Sequence, residues 1–198
     1  MSELKNILEY KVITIKISTI DEKTYENFLE QYKKLKSGQN IVCMIQTYGS
    51  INFSANKIGK ILMRHPGDVV AFVPKYAYSG GTLVALSCGS IILGKNAVIS
   101  PCDSQIYRSS LPDKELKEFK DHIYEMDRTF FEEVVDHYKY SDVIKKKIVQ
   151  YFYKPRHDTK LTYEMVKDIG ININSTKNLG HRLASYFRNL ERYLDLVG

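Results

Sequence analysis

Residues 73–86 read VPKYAYSGGTLVAL, and the interpretation of the chain starts from this stretch. An apolar strand ends at Pro74, and Ser79 then precedes two glycines and an apolar helix. Glycines permit strained turns and close approach of the backbone to a substrate. A serine at a helix N-terminus lies beside N–H groups that lack intrahelical partners and can stabilise an oxyanion. The pattern fits a nucleophilic serine, and it also fits a helix cap followed by closely packed glycines.

Strands and helices alternate on both sides of this stretch. Strands are predicted at residues 11–18, 41–46, 68–74, 90–93 and 97–99. Helices are predicted between Asp21 and Gly38 and at residues 54–64, 79–87, 113–139, 142–153, 162–169 and 177–196. This order predicts an α/β fold with a mostly parallel sheet and a helical C-terminal part. We expect one domain over residues 1–198, with a core at about 11–106 and a helical region at about 113–198.

The composition is that of an ordinary globular protein, with 198 residues, 43% of them hydrophobic and 26% charged. It argues against a disordered, collagen-like or disulfide-stapled chain. The three cysteines form no CxxC pair and lie in apolar segments, and the five histidines lack metal-ligand spacing, so reduced thiols and no metal site are expected. The polar residues 1–10 and the lack of a long apolar run predict a cytoplasmic protein without stable membrane insertion.

The net charge of +6 raises the question of a nucleic-acid partner. The basic residues stand in runs such as Lys145–Lys147, close to acidic residues. That arrangement is typical of a solvated helix face. Since no helix-turn-helix, RNP-type aromatic motif or zinc finger is present, we expect no nucleic-acid binding.

Two further segments follow strand ends. In a parallel sheet the carboxyl ends of the strands converge on one edge, where ligands bind. The turn Thr47-Tyr-Gly-Ser50 therefore brings Gly49 and Ser50 towards Ser79 as sources of N–H groups. The loop Ser100-Pro-Cys-Asp-Ser-Gln105 brings Asp103, which could orient a base. Taken alone, each segment is also compatible with an ordinary loop or turn.

Together these segments resemble the core of the ClpP/crotonase superfamily. The resemblance is closer to the serine dehydrogenase proteinase group, which is similar to signal peptide peptidase A. That family shows Thr-Pro-Gly-Gly, His-Pro-Gly, Val-Pro, Tyr-Ala-x-Ser-Gly-Gly-Thr-Leu-x-Ala-Leu and Gly-Pro-x-Asp-x-Gln in this order. This chain has Thr47-Tyr-Gly-Ser50, Arg64-His-Pro-Gly67, Val73-Pro74, Tyr76-Ala-Tyr-Ser-Gly-Gly-Thr-Leu-Val-Ala-Leu86 and Ser100-Pro-Cys-Asp-Ser-Gln105. A later stretch, residues 156–170, resembles the family's His-Asp segment.

The resemblance implies a repeated ββα superhelix and a serine endopeptidase. It implies that Ser79 is the nucleophile and that Gly80, with Gly49 or Ser50, supplies the oxyanion hole. It also implies a peptide or protein substrate, assembly as a homo-oligomer, and no metal or organic cofactor.

The sequence departs from the family pattern at the oxyanion turn and at the general base. Ser50 replaces a glycine, and it can offer its N–H only if the backbone there tolerates a side chain. The histidine that Clp proteases carry about 25 residues after the serine is absent. Signal peptide peptidase A types use a lysine from a later helix, and Lys117 and Lys120 lie in such a helix. His157 falls in the matched late segment and is another candidate base, or Asp158 beside it is the acid.

Three functions follow from these observations. The leading hypothesis is a peptidase in which Ser79 attacks a peptide carbonyl. The alternative is a catalytically inactive relative that acts as an oligomeric peptide-binding or scaffold protein. A crotonase-like acyl-CoA enzyme shares the fold, but such enzymes do not use a Ser-Gly-Gly nucleophile.

Overall fold

The computed structural model describes residues 6–51, 53–102, 112–153 and 155–196. The strands in these ranges are β1 Lys11–Lys16, β2 Ile41–Gln46, β3 Val69–Val73, β4 Tyr76–Ala77, β5 Ser90–Leu93, β6 Val98–Ile99, β7 Leu161–Thr162 and β8 Ile173–Ser175. The α-helices are α1 Glu22–Tyr32, α2 Ser54–Met63, α3 Gly80–Leu86, α4 Asp113–His137, α5 Asp142–Phe152, α6 Tyr163–Val166 and α7 His181–Leu196. None of the helices in these ranges is long and apolar enough to cross a membrane.

A parallel five-stranded sheet forms the centre of the fold, in the order β1-β2-β3-β5-β8. Lys11 pairs with Ile41 at the start of β1 and β2, and Ile41 pairs in turn with Val69 of β3. A second sheet has the order β4-β6-β7, with β4 parallel and β7 antiparallel to β6. The predicted α/β fold with a mostly parallel sheet is confirmed.

Both faces of the large sheet are covered by helices. On β2, Cys43 and Ile45 face the cluster that includes side chains of α1 to α5, whereas Met44 faces Phe187 of α7. Every residue of β2 is buried. The strand therefore reads as a continuous apolar run, as expected for a parallel strand covered on both sides.

The region after residue 113 is mainly helical, but it also contains two short strands that were not predicted, β7 and β8. β8 pairs with β5 and completes the edge of the large sheet. Its signal is weak because the strand has only three residues, in which buried Ile173 alternates with half-buried Asn174. The helix predicted at residues 162–169 is likewise shorter and spans Tyr163–Val166.

The strand ends bring two turns of the chain together. Thr47, directly after β2, forms a parallel bridge with Ala77 of β4. The Thr47 N–H donates to Tyr76 O (3.3 Å), and the Tyr78 N–H donates to Thr47 O (3.0 Å). The turns at residues 47–51 and 76–80 therefore lie at the same edge of the fold.

Candidate active site

Ser79 lies in a strained turn between β4 and α3. Its φ of 50° and ψ of −117° are unusual for a residue with a side chain. Within the described ranges only Ser79 and Lys139 combine a side chain with positive φ. Such strain costs about 1–3 kcal/mol and is found mostly at functional sites. Hydrogen bonds hold the turn on both sides, from Gly81 N–H to Tyr78 O (2.8 Å) and from Leu83 N–H to Ser79 O (3.1 Å).

The turn at residues 47–50 packs directly against Ser79. A Cβ atom built on Gly49 would lie 3.2 Å from Ser79 Cβ and 3.6 Å from Ser79 Oγ. Gly49 also has a φ of 144°, which side chains rarely permit. A Cβ atom on Gly80 would overlap Ser50 Oγ and lie 2.6 Å from Ser50 Cβ. The close contact between these turns therefore requires glycine at both positions.

The N–H groups of Gly49 and Ser50 differ, because only that of Gly49 is already occupied. Gly49 donates to Thr47 Oγ1 (3.3 Å). The Ile20 N–H donates to Gly49 O, and Ile20 O accepts from the Ile51 N–H, so the Ser50 N–H between these two bonds points away from Ile20. That is the side on which β4 and Gly80 lie. Since φ at Ser50 is not positive, its backbone tolerates the side chain that replaces the family's glycine.

The N–H of Gly80 is the second donor at this edge. Gly80 is the first residue of α3, so its N–H has no intrahelical acceptor. Within the described ranges, no atom accepts a hydrogen bond from the Gly80 N–H or from the Ser50 N–H. The geometry thus offers two backbone donors beside Ser79, which is the arrangement that stabilises an oxyanion.

Ser100 connects the Ser79 backbone to the interior. The side chain is buried, and its Oγ accepts a hydrogen bond from Ser79 N–H at 2.8 Å. The Ser100 N–H donates to Thr82 Oγ1 (3.2 Å), and Thr82 Oγ1 donates to Ala77 O (2.7 Å). This network joins the strand end, the turn and the first turn of α3. The sequence shows that Ser100 stands where the family pattern has glycine. It does not show that the Ser100 hydroxyl accepts a hydrogen bond from Ser79.

His157 lies in a loop whose two ends are attached to residues 99–102, the segment that contains Ser100. Before the loop, Phe152 O accepts from Cys102 N–H (2.9 Å), and after it Leu161 pairs with Ile99. His157 is half-buried. Asp158 is exposed and forms an ion pair with Arg156 at 2.8 Å.

Lys120 lies on the inward face of α4. The helix runs in the same direction as α2, since Glu133 pairs with Lys60 (2.9 Å) and, earlier on each helix, His122 lines the same cavity as Phe53, which precedes α2. The half-buried Lys120 precedes the buried Ile123 by one turn. Lys117, by contrast, is exposed.

The early turns of α4 therefore extend towards the start of α2. Close to that start, Ala55 Cβ lies 3.0 Å from the Cβ position of Gly80. Of the predicted site residues, the structure brings Ser79, Gly80, Gly49 and Ser50 into contact. The loop of His157 is joined to residues 99–102, and Lys120 lies in the early part of α4. Asp103 lies outside the described residues.

The chain is similar to one protein family and to two proteins of known sequence. A family model described as "ClpP-like SDH-type serine proteinase" matches residues 5–186. Uncharacterized protein MJ0137 of Methanocaldococcus jannaschii is 37% identical over 103 residues, which cover 52% of this chain and 34% of that protein. Uncharacterized protein MJ1495 of the same organism is 28% identical over 192 residues, covering 84% of this chain and 60% of that protein. The chain thus matches about a third and three-fifths of the lengths of these two relatives.

Proposed function

The chain belongs to the family of ClpP-like SDH-type serine proteinases, and on that premise we propose that it is a serine endopeptidase with Ser79 as its nucleophile. The contact between the strained Ser79 turn and the Gly49–Ser50 turn carries this proposal. A serine held on a sharp turn between a strand and a helix, beside two backbone donors, fits acyl transfer.

In the proposed reaction Ser79 Oγ attacks the carbonyl carbon of the substrate, and the carbonyl oxygen becomes an oxyanion. The N–H groups of Gly80 and Ser50 donate to that oxygen. One such donor contributes about 10²–10³-fold to kcat. When the intermediate collapses, the C–N bond breaks, the amine leaves with a proton, and an ester on Ser79 remains. Water then hydrolyses this ester and regenerates the hydroxyl.

The proton of Ser79 Oγ needs an acceptor, and His157 and Lys120 are the two candidates. The loop of His157 is anchored at Phe152 and Leu161 to the segment that contains Ser100. Lys120 lies on the face of α4 that packs inward. His157 would act as an imidazole base, and Lys120 as a neutral amine.

Substituting each candidate beside a matched control tests this assignment. His157→Gln or Lys120→Met, whichever removes the base, is expected to lower kcat/KM by about 10²–10⁴-fold. His137→Gln and Lys117→Met are the controls, because both side chains are exposed. Wild-type rates in both candidate variants would exclude both residues as the base.

We also propose that the chain assembles as a homo-oligomer. Exposed apolar side chains support this, namely Phe119, Tyr124 and Val143, of which 45%, 50% and 65% are exposed. Contact with a second subunit would bury them. Light scattering should give a mass that is a multiple of 22.9 kDa. A monomer at micromolar concentration would contradict this assembly.

The test of the enzymatic function is hydrolysis of a peptide library, read by mass spectrometry, with wild-type protein and Ser79→Ala at the same oligomeric state. We expect cleavage by the wild type and none by the variant. Cleavage by both proteins would exclude Ser79 as the nucleophile. Peptide binding without cleavage by either would favour the alternative, an inactive relative that binds peptides or acts as a scaffold.

A further inference from the structure

Three tyrosines form a stacked group beside Ser79, which we call the tyrosine platform: Tyr48, Tyr76 and Tyr78. The rings of Tyr48 and Tyr76 stack with centroids 4.6 Å apart and an interplanar angle of 21°. Tyr78 lies 5.6 Å from Tyr76 and 6.0 Å from Tyr48. Each ring therefore contacts the other two at distances typical of favourable aromatic pairs.

The backbone pairing explains why the three rings share one face. Thr47 lies opposite Ala77, and both residues are fully buried. Side chains alternate between the two faces of an extended segment, so the neighbours of this pair point the other way. Tyr76 and Tyr78 flank Ala77, and Tyr48 follows Thr47.

The platform adjoins the reactive serine. Tyr78 precedes Ser79, and Tyr48 precedes Gly49, whose Cβ position lies 3.6 Å from Ser79 Oγ. A substrate residue next to the scissile bond can therefore reach the rings while its carbonyl carbon lies at Ser79.

The platform is open to solvent where it meets this site. Tyr48 is 61% exposed, and Ile51 in the same turn is 54% exposed. A second aromatic ring can therefore still stack on Tyr48, whereas Tyr76 and Tyr78 are only partly accessible.

The chemistry of the three rings favours an uncharged aromatic ligand. Hydrogen bonding with Tyr48, together with burial, raises the pKa of Tyr76, and burial raises the pKa of Tyr78. A phenol is neutral at physiological pH even at its ordinary pKa of about 10, so the platform offers stacking surface and no anion to a lysine or arginine. The net charge of +6 also works against a cationic side chain.

We propose that the tyrosine platform binds an aromatic side chain of the peptide substrate, next to the bond that Ser79 attacks. This inference rests on the proposed peptidase function. The aromatic side chain stacks on the exposed face of Tyr48, and Tyr76 and Tyr78 support that ring from beneath. The platform thereby sets a preference for cleavage beside phenylalanine, tyrosine or tryptophan.

The direct test compares kcat/KM for two fluorescein-labelled peptides, an alanine hexapeptide with one central phenylalanine and its all-alanine counterpart. The wild type should prefer the phenylalanine peptide by about tenfold, which corresponds to about 1.4 kcal/mol. Tyr48→Ala should abolish the preference, and Tyr48→Phe should keep it. Tyr193→Ala removes a similarly exposed tyrosine (55%) outside the platform and should also keep it.

An equal preference in the wild type and in Tyr48→Ala would overturn the inference. So would wild-type cleavage of both peptides at the same rate.

A binding experiment separates failure of this inference from failure of the proposed function. Ser79→Ala does not need to cleave, so the fluorescence anisotropy of the same two peptides reports the platform alone. A preference for the phenylalanine peptide that disappears in Ser79→Ala/Tyr48→Ala supports the platform, even if the wild type proves inactive. Equal affinity of Ser79→Ala for both peptides would overturn it.

Discussion

β2 and the turn that follows it differ in burial, composition and backbone conformation. Residues 41–46 are all buried, and the strand pairs regularly on both sides. In the next four residues of the chain, the turn has an exposed Tyr48, a Gly49 with positive φ and a Ser50 packed against Gly80. The strand is apolar because both of its faces are covered, whereas the turn is shaped by its contact with Ser79. We therefore expect substitutions in the sheet to change stability, and substitutions at its carboxyl edge to change activity.

The largest effect on stability is expected from Phe72→Ala in β3. Phe72 is fully buried, and its ring lies 4.7 Å from that of Phe187 in α7. Its removal should lower the free energy of unfolding by about 3–5 kcal/mol. Urea unfolding measures this loss, and the rate per folded molecule should stay at the wild-type value. An unchanged unfolding midpoint would contradict the expectation that substitutions in the sheet change stability.

Gly80→Ala should have the opposite profile. The added Cβ would overlap Ser50 Oγ, so the turns must separate and displace a donor. We expect kcat/KM to fall by about 100-fold, as for the loss of one oxyanion donor. Gly180→Ala is the matched control, because nothing lies within 4 Å of its Cβ position. Similar rates for the two variants would contradict the assigned role of this contact.

Ser100→Ala is expected to have a smaller effect, on kcat. The substitution removes the acceptor of Ser79 N–H, and an unpaired buried donor costs about 1–3 kcal/mol. Because the strained turn can then relax, we expect kcat to fall about tenfold with KM nearly unchanged. Ser87→Ala removes a buried hydroxyl that donates to Leu83 O within the helical segment, and should leave kcat unchanged. A loss confined to KM in Ser100→Ala would argue against a positioning role.

The smallest expected effect is on the free energy of unfolding at alkaline pH, and it comes from Cys43 in β2. Burial raises the pKa of the Cys43 thiol from 9.0 to about 12. Below pH 9 the thiol is protonated in both the folded and the unfolded state. Above pH 9 the unfolded state ionises first, so stability is lost as the pH rises towards 12.

Comparison of the wild type with Cys43→Val isolates this contribution. Between pH 8 and pH 10 the free energy of unfolding should fall by about 1 kcal/mol more in the wild type than in the variant. Equal pH dependence would mean that the thiol ionises as readily in the folded state as in the unfolded state.

The sequence predicts the positions of the central strands better than the contacts between the turns at the carboxyl edge of the sheet. β2 and β5 lie at the predicted residues because a buried parallel strand leaves a continuous apolar run. β8 was missed because its three residues form a strand only by pairing with β5, and no local pattern records that pairing.

At the edge, the glycines and serines of the motifs predicted which turns would meet. The bond from Ser79 N–H to Ser100 Oγ joins residues 21 positions apart, and only the fold reveals it. The stacking of Tyr48 on Tyr76 depends in the same way on the bridge between Thr47 and Ala77.

If Ser79 is an activated nucleophile at the carboxyl edge of the sheet, it should react with a fluorophosphonate in the native protein. Digestion and mass spectrometry of the peptides after this reaction identify the modified residue. We expect one phosphonate adduct, on Ser79, which is lost when the protein is unfolded before treatment. Absence of an adduct on native Ser79, or equal labelling of the unfolded chain, would contradict this role of Ser79.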